Sequence, residues 1–392
     1  LGIALSAVLV LPVIGLLPNV IFRAHSFFAP FGLFLMFQIL LSITVMILPT
    51  LLIGATFPCA VQLVARQISR IGKDVGFVYS YNTIGAIVGS FIAGFFMIPL
   101  IGSEATIRVG VVVNFLVGFG VLFVFYSAFQ MRLGVIVSSG LAVLIVFSFP
   151  HWDPRVMTSG IRIYAPSYAK TFSTLGDVLQ DEEILFKKDG ISSTVSIHKR
   201  AGITFLRVNG KTDASNGSDM GTQLLVGHLP SLLHPNPRSA FIVGLGSGVT
   251  PGAIARYPLE RIDVVEIEPA MVEASSFFVA ENRGVLSDPR VKLHHGDAKN
   301  VLLRSDEKYD LIINEPSNPW INGIATLFTE EFFALTRSRL NPEGVMVQWL
   351  QGYALSREDM RTVIATFLKV YPHASLWQAS NVDYILVGGD GP

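Results

Sequence analysis

Apolar positions are distributed in two contrasting ways along the chain. Up to residue 150 they form long uncharged runs, at about 1–22, 28–64, 77–101, 109–130 and 133–150. Crossing a bilayer takes roughly 20 apolar residues. The second run is too long for one upright helix. It is either one tilted helix with an interfacial lead-in or two spans meeting near Pro49. Five or six spans are expected. In the third run Gly85, Gly89 and Gly94, with Ala86 and Ala93, would let the helix pack closely on its neighbours. Asn82 is read as a link between helices in preference to part of a substrate path; Asn114 is a second polar position.

After residue 180 the apolar runs shorten and alternate with turn residues. Glu183–Lys187, Ser193–Lys199 and Thr204–Asn209 have strand character, with hairpin-type turns at Lys188-Asp189-Gly190 and Arg200-Ala201-Gly202. The segment from Val208 to Asp213 ends this small antiparallel sheet, a polar loop follows at Ala214–Gly221, and Gln223–Leu233 reads as an amphipathic helix. Strands are then predicted at Phe241–Val243, Ile262–Val265, Val291–His294, Tyr309–Ile313, Gly344–Trp349, Ala374–Gln378 and Tyr384–Gly388. Helices are predicted at Ala270–Phe278, Thr329–Arg339 and Arg357–Val370. Such alternation implies a parallel sheet with helices on both faces. The expected order is a transmembrane helical domain at 1–150, an irregular linker at 151–180, a small β domain with its connecting helix at 181–235, and a Rossmann-like α/β domain at 236–392.

Composition sharpens this division. The 392 residues are 51% hydrophobic and 15% charged, with a mean hydropathy of +0.53, which points to a lipid bilayer as partner. Only Arg23, Arg66, Arg70, Lys73, Asp74, Glu104, Arg108 and Arg132 carry charge before residue 151. Intramembrane charge is therefore not expected, and neither half has the basic stripe of a nucleic-acid binder. The single cysteine, Cys59, allows neither a disulfide framework nor a zinc site and is expected to be buried. No metal is expected: His294 and His295 lack ligand spacing and read as structural.

The chain starts at Leu1 without the basic start or cleavage site of a signal peptide, so an N-terminal part of a longer protein is expected. The basic loop at 65–76 belongs in the cytoplasm, and three spans then put residue 151 outside. A domain using a nucleoside cofactor belongs inside. The expectation adopted is an integral protein of the cell (inner) membrane with a cytoplasmic catalytic domain, which requires either the placement of the basic loop to be wrong or one run not to span.

The candidate chemistry lies around Phe241–Pro269. The strand Phe241-Ile242-Val243 runs into Gly244-Leu245-Gly246-Ser247-Gly248, and the next strand ends at Glu266, 18 residues after Gly248. Glycines let the backbone turn tightly and approach a ligand, and an acid closing the second strand can accept hydrogen bonds from ribose hydroxyls. Asp297 and Glu315 fall at two further strand ends, so four elements of one rim carry ligand-binding chemistry. Glu315 is expected as general base or substrate-orienting carboxylate, or else as a cap on its own loop. Asp213 and Asp219 are candidate substrate binders, Asp213 with an ordinary turn role as the alternative. Glu268 is expected to cap the helix at Pro269. Trp320 and Trp349 are expected in packing before pocket walls.

Gly244–Gly248, Val265-Glu266-Ile267-Glu268, Gly296-Asp297-Ala298 and Tyr309–Ile313 resemble, in order and spacing, the motifs of the spermidine synthase family. The resemblance covers about 180–390. The upstream half, with Asp74-Val75-Gly76 and Tyr81–Gly85, looks like the transporter-like membrane domain fused to spermidine-synthase-like domains in bacterial proteins, and Glu315–Trp320 fits that fusion. The resemblance implies a methyltransferase-like Rossmann fold with a small β domain in front. It further implies transfer of an aminopropyl group from decarboxylated S-adenosylmethionine to an amine, and a homodimer. Gly244, Gly246 and Gly248 would lie against the nucleoside, Glu266 would hold the ribose, and Asp297 with Ala298 the adenine. The acceptor side departs from the family. Glu315-Pro316-Ser317-Asn318-Pro319 replaces Asp-Ser-Ser-Asp-Pro, Asp213 replaces Gln, and Thr222-Gln223-Leu224 replaces Tyr-His-Glu. Glu315, Asp213, Asp219 and Asn318 are left to bind the substrate. Two other functions compete: a transporter or sensor regulated by the nucleoside domain, and a methyltransferase using intact S-adenosylmethionine.

Overall fold

The computed structural model of the protein describes residues 1–25, 27–28, 30–65, 68–125, 129–321 and 323–389. Arg66 of the predicted basic loop and the last three residues of the predicted final domain lie outside them. The chain divides into two compact units, 1–182 and 183–392.

The first unit is helical. α1 (Gly2–His25), α2 (Phe31–Val64), α3 (Ile71–Ile92), α4 (Ile98–Phe125) and α5 (Phe129–Ser148) follow the apolar runs. A five-residue π-helical segment, Ala93–Met97, joins α3 to α4. Among the described residues four stretches are long and apolar enough to cross a membrane, because α3 and α4 form one run from Ile71 to Val124. Its 54 residues would extend about 80 Å at 1.5 Å per residue, far beyond the roughly 30 Å of a hydrocarbon core. Gly102, at φ 82° and ψ 165°, breaks the run, as only glycine does at low cost. α2 passes through Pro49 without a break, so the two-span reading of 28–64 gives way to a single 34-residue helix.

Three expectations for this unit are corrected. Gly85, Gly89 and Gly94 have open space where a Cβ would stand, and α3 buries no residue, so these glycines do not pack against another described helix. Cys59 is exposed, because it lies on α2, where only Phe34 is buried. Asn82 is exposed and makes no side-chain hydrogen bond among the described residues, while Asn114 donates to Gly110 one turn back. The predicted break between the third and fourth runs is mostly helical. It brings Glu104 and Arg108 into α4, with Arg108 1% exposed. Arg108 donates to Glu104 and to the carbonyls of Val146 (2.5 Å), Phe149 (3.1 Å) and Pro150 (3.2 Å) at the end of α5. The guanidinium satisfies carbonyls that a helix end leaves without partners, and Glu104 balances its charge. The linker is more regular than expected, with short helices α6 (Pro154–Met157), α7 (Ile161–Tyr168) and α8 (Leu175–Leu179).

The second unit begins with a four-stranded antiparallel sheet of β1 (Glu183–Asp189), β2 (Thr194–Arg200), β3 (Ile203–Val208) and β4 (Lys211–Ser215), in that order. The fourth strand was read as a strand end and loop. Asn209 and Gly210, at φ 51° and 82°, make a two-residue hairpin turn that carries the chain from Val208 to its partner Lys211. α9 (Met220–Leu233) leads into β5 (Ser239–Val243), α10 (Val249–Ile254), β6 (Arg261–Glu266), α11 (Pro269–Ser275), α12 (Val279–Asn282) and β7 (Val291–His295). α13 (Ala298–Arg304), β8 (Tyr309–Asn314), α14 (Glu330–Ser338), β9 (Leu340–Gln351), α15 (Arg357–Val370), β10 (Ser375–Gln378) and β11 (Asp383–Gly389) complete it.

The sheet order is β10-β11-β9-β8-β5-β6-β7. The five strands β9, β8, β5, β6 and β7 are parallel, but β11 is antiparallel to β9 and β10 to β11, so the sheet is mixed and not wholly parallel. A short hairpin can only return antiparallel. Side-chain alternation splits the core in two. Ala240, Ile242, Leu311, Ile313 and Val347 pack with Val226 and Leu229 of α9, whereas Phe241, Val243, Ile312 and Met346 pack with Leu302, Phe333 and Phe367 of α13, α14 and α15. Each buried Val, Leu, Ile, Phe or Met among them stabilises the sheet by about 1.5–3 kcal/mol. The order reverses direction between β5 and β8, and ligands of such sheets bind at that switch.

Candidate active site at the carboxyl rim of the sheet

Val243 passes into a turn in which Gly244, Gly246 and Gly248 all have positive φ, at 90°, 53° and 80°. Two of these glycines also answer to packing. A Cβ on Gly244 would stand 3.3 Å from the Glu315 carbonyl oxygen, and one on Gly248 would stand 2.9 Å from Asn282 Nδ2. Asn282 Nδ2 in turn donates to Ser247 O (2.8 Å) and Ser275 O (2.9 Å), pinning the loop from beneath.

Glu266, at the end of β6, is tied to the same loop. Leu245 N donates to Glu266 Oε2 and Glu268 N to Glu266 Oε1, each at 2.9 Å. Burial pushes its pKa up, backbone donors pull it back, and the Glu268 charge adds to the rise. A carboxylate oxygen can accept more than one hydrogen bond, so ribose hydroxyls are compatible with both partners. Asp297 caps α13 by accepting from Asn300 N at 2.8 Å, and the buried Ala298 follows it. Glu268 caps α11 through Ala270 N, as expected. It also accepts from Ser192 N (2.8 Å) and Ser193 N (3.1 Å), clamping the β1–β2 turn.

Glu315 follows β8 on the far side of the switch. It accepts from Thr250 Oγ1 at 2.5 Å, and its pKa is pushed up to about 8. Burial is the main cause; the Thr250 bond opposes it, and the charges of Asp219 and Asp383 reinforce it. The residue as a whole is half-buried. Thr250 is therefore a site residue, through a contact that the sequence did not show. Asp383, at the start of β11, is likewise an addition; it accepts from Thr222 Oγ1 (3.1 Å) and Ser380 Oγ (2.7 Å).

The other candidate acceptor residues are largely engaged by the protein. Asp219 accepts from Ser215 N (2.7 Å), from the Ser215 hydroxyl and from Gln223 Nε2 (3.0 Å). Gln223 also accepts from Ser247 Oγ at 2.5 Å, so it links the start of α9 to the glycine turn. Asp213 lies on β4, paired with Lys211, and accepts from Ser317 Oγ at 3.0 Å. The Lys211 ammonium, on a side chain 3% exposed, stands 6.0 Å from the centre of the Tyr353 ring. Burial raises the Tyr353 pKa; Lys211 and Asn318 lower it and Asp213 raises it. Asn318 is wholly buried; its amide lies toward the Tyr353 hydroxyl, but neither amide atom completes a hydrogen bond. Trp320 is 39% exposed and edge-on to Tyr353, 6.2 Å between ring centres, whereas Trp349 packs against the core.

Residues that looked suggestive in sequence fall elsewhere. His294 Nε2 pairs with the buried Asp263 at 3.0 Å, which agrees with a structural role. Asp310, half-buried, accepts from Arg238 N (2.8 Å) and Ser239 N (2.9 Å). Among the described residues no group of three His, Cys, Asp or Glu could hold a metal ion.

Residues 220–381 match the spermine/spermidine synthase domain. A polyamine aminopropyltransferase of Streptococcus pneumoniae serotype 4 is 29% identical over 178 residues, 44% of this chain and 62% of that protein. A spermine synthase of Arabidopsis thaliana is 30% identical over 226 residues, 55% of this chain and 62% of that one. The chain thus spans less than two thirds of these curated relatives. A crystal structure of spermidine synthase in complex with the transition-state analogue AdoDATO matches with a TM-score of 0.50 at 19% identity, over 53% of this chain and 74% of that chain, which shows a shared fold.

Proposed function

We propose that this chain, which carries a spermine/spermidine synthase domain at 220–381, is a membrane-anchored transferase. It moves an aminopropyl group from decarboxylated S-adenosylmethionine to an amine. The observation that carries the reading is the Glu315 carboxyl, held at the β5–β8 switch across from the glycine turn with its proton affinity raised to the physiological range. Transfer needs an unprotonated amine aligned with the carbon beside the sulfonium. The amine lone pair forms the new C–N bond, the C–S bond breaks, and its electrons leave on sulfur as methylthioadenosine. Glu315 receives the proton that the nitrogen sheds.

On the donor side the fit is good. The glycine turn brings backbone to the nucleoside, Glu266 takes the ribose, and Asp297 with Ala298 meets the adenine. Asp219 and Asp383 charge the surroundings of Glu315 negatively. That favours the cationic aminopropyl chain over one bearing a carboxylate, and so the decarboxylated donor over S-adenosylmethionine itself. The apolar helices of the first unit serve as the anchor in the cell membrane, with the catalytic unit on the cytoplasmic side.

Incubating the purified chain with isotope-labelled decarboxylated S-adenosylmethionine and a panel of amines tests this. Mass spectrometry should show aminopropylated amine and methylthioadenosine in equal amounts. Methylated amine from S-adenosylmethionine, or no thioether nucleoside at all, would sink the reading. A protease-accessibility assay in sealed vesicles tests the placement.

A further inference from the structure

The two ends of the acceptor wall differ in charge. Near Glu315 stand Asp219 and Asp383, an environment suited to one ammonium. Two residues further on, Ser317 reaches Asp213, which is already neutralised by the buried Lys211. The Lys211 ammonium also donates to Thr212 O at 3.2 Å and stands over Tyr353. A second ammonium seated here would meet a fixed cation and no free carboxylate, and burial makes that repulsion strong. The other polar groups at this end are neutral: the Tyr353 hydroxyl, and Asn318, 0% exposed, whose amide lies toward that hydroxyl without completing a hydrogen bond at either of its atoms. A buried amide in that condition is costly until something pairs with it. Its donor and acceptor together match those of a carboxamide.

We propose that the acceptor is a primary amine with a single cationic nitrogen and a neutral carboxamide at its far end, not a diamine. The attacking nitrogen lies at Glu315. The amide lies at Asn318, beside the Lys211–Asp213 pair and Tyr353. This inference rests on the transferase reading above and names its substrate class. Lys211 and Asn318 are its specificity-determining residues.

The test uses the full chain in detergent, labelled decarboxylated S-adenosylmethionine, and three acceptors of equal length: 4-aminobutanamide, 1,4-diaminobutane and 4-aminobutanoate. The amide should be used with a kcat/KM at least ten-fold above both others. Asn318→Asp should shift the ratio at least ten-fold toward the diamine, and Lys211→Met, which leaves Asp213 as a free carboxylate, should shift it the same way. Methylthioadenosine affinity should stay unchanged in both variants, which shows that the donor side still folds. A wild-type preference for the diamine or the carboxylate overturns this proposal but leaves the transferase reading intact. So does a ratio that neither variant moves. Absence of product from every acceptor overturns both.

Discussion

Replacing Glu315 by Gln separates the two roles of its carboxyl, in stability and in catalysis. Unfolded, a glutamate gives up its proton near 4.5; in the fold Glu315 keeps it to about 8. Between those values the native state binds more protons than the unfolded state. Stability contributed by the protonated form is therefore complete below about pH 4.5 and is lost as pH rises through about 8. At about 1.4 kcal/mol per unit the full window amounts to roughly 5 kcal/mol. The residue is half-buried and a buried charge is eased by relaxation around it, so about 2–4 kcal/mol is the working span. Gln at this position can still accept from Thr250 but has no proton to lose. The assay is urea unfolding of the full chain in detergent at pH 6, 7, 8 and 9, followed by tryptophan fluorescence. Trp320, Trp349 and Trp377 all lie in the second unit, so the signal reports mainly on it. The wild type should lose about 2 kcal/mol or more between pH 6 and 9 relative to Glu315→Gln. Parallel pH dependences would refute the burial argument.

Catalysis should run the opposite way with pH. Only the deprotonated carboxyl accepts a proton, so kcat/KM, which reports the free enzyme, should rise with a limb near pH 8. An ammonium bound beside Glu315 lowers its pKa, so the corresponding limb in kcat should fall at lower pH. Glu315→Gln should cost about 10²–10⁴-fold in kcat and remove both limbs. Full activity in Glu315→Gln would remove it from the chemistry, whatever its effect on stability.

Three further outcomes follow from the geometry. Gly248→Ala forces a side chain onto φ 80° and against Asn282 Nδ2 at 2.9 Å; it should destabilise the second unit by about 1–3 kcal/mol, measured by the same urea titration. Glu266→Ala removes the acceptor between Leu245 N and Glu268 N and should weaken methylthioadenosine binding at least ten-fold by calorimetry, with an unchanged affinity refuting its ribose role. Arg108→Leu takes the guanidinium from Glu104, which keeps Trp152 N and His151, and leaves the carbonyls at the end of α5 without that donor; the first unit should lose about 2–4 kcal/mol, seen as earlier thermal aggregation in detergent.

Much of the catalytic unit was legible because its signals are local. A strand that runs into Gly244–Gly248 and an acid that ends the next strand are both set by neighbours in sequence, and the sheet placed them at one switch. The missed features depend on which distant group meets which. Ser317, 104 residues later in the chain, reaches Asp213 only in the fold, whereas the Lys211 ammonium comes from two residues earlier on the same strand, β4. Asn209-Gly210 is a hairpin dipeptide and so a local signal for β4, although the polar residues after it pattern as a loop. Glu315 acquires its partner from α10, 65 residues earlier in the chain, and its repulsion from Asp219 and Asp383 only once α9 and β11 close over it. In the apolar half the failure has another cause. Hydropathy fixes which residues avoid water but not what replaces it, so glycines on a helix face cannot by themselves say whether another helix comes near. Glu104 and Arg108 show the same limit from the polar side. Four residues apart, they read as a loop between two runs, but on a continuous helix that spacing lets each hold the other's charge. Charge neutralisation is thus the property that sequence patterning predicts least, and it is the property on which the choice of acceptor turns.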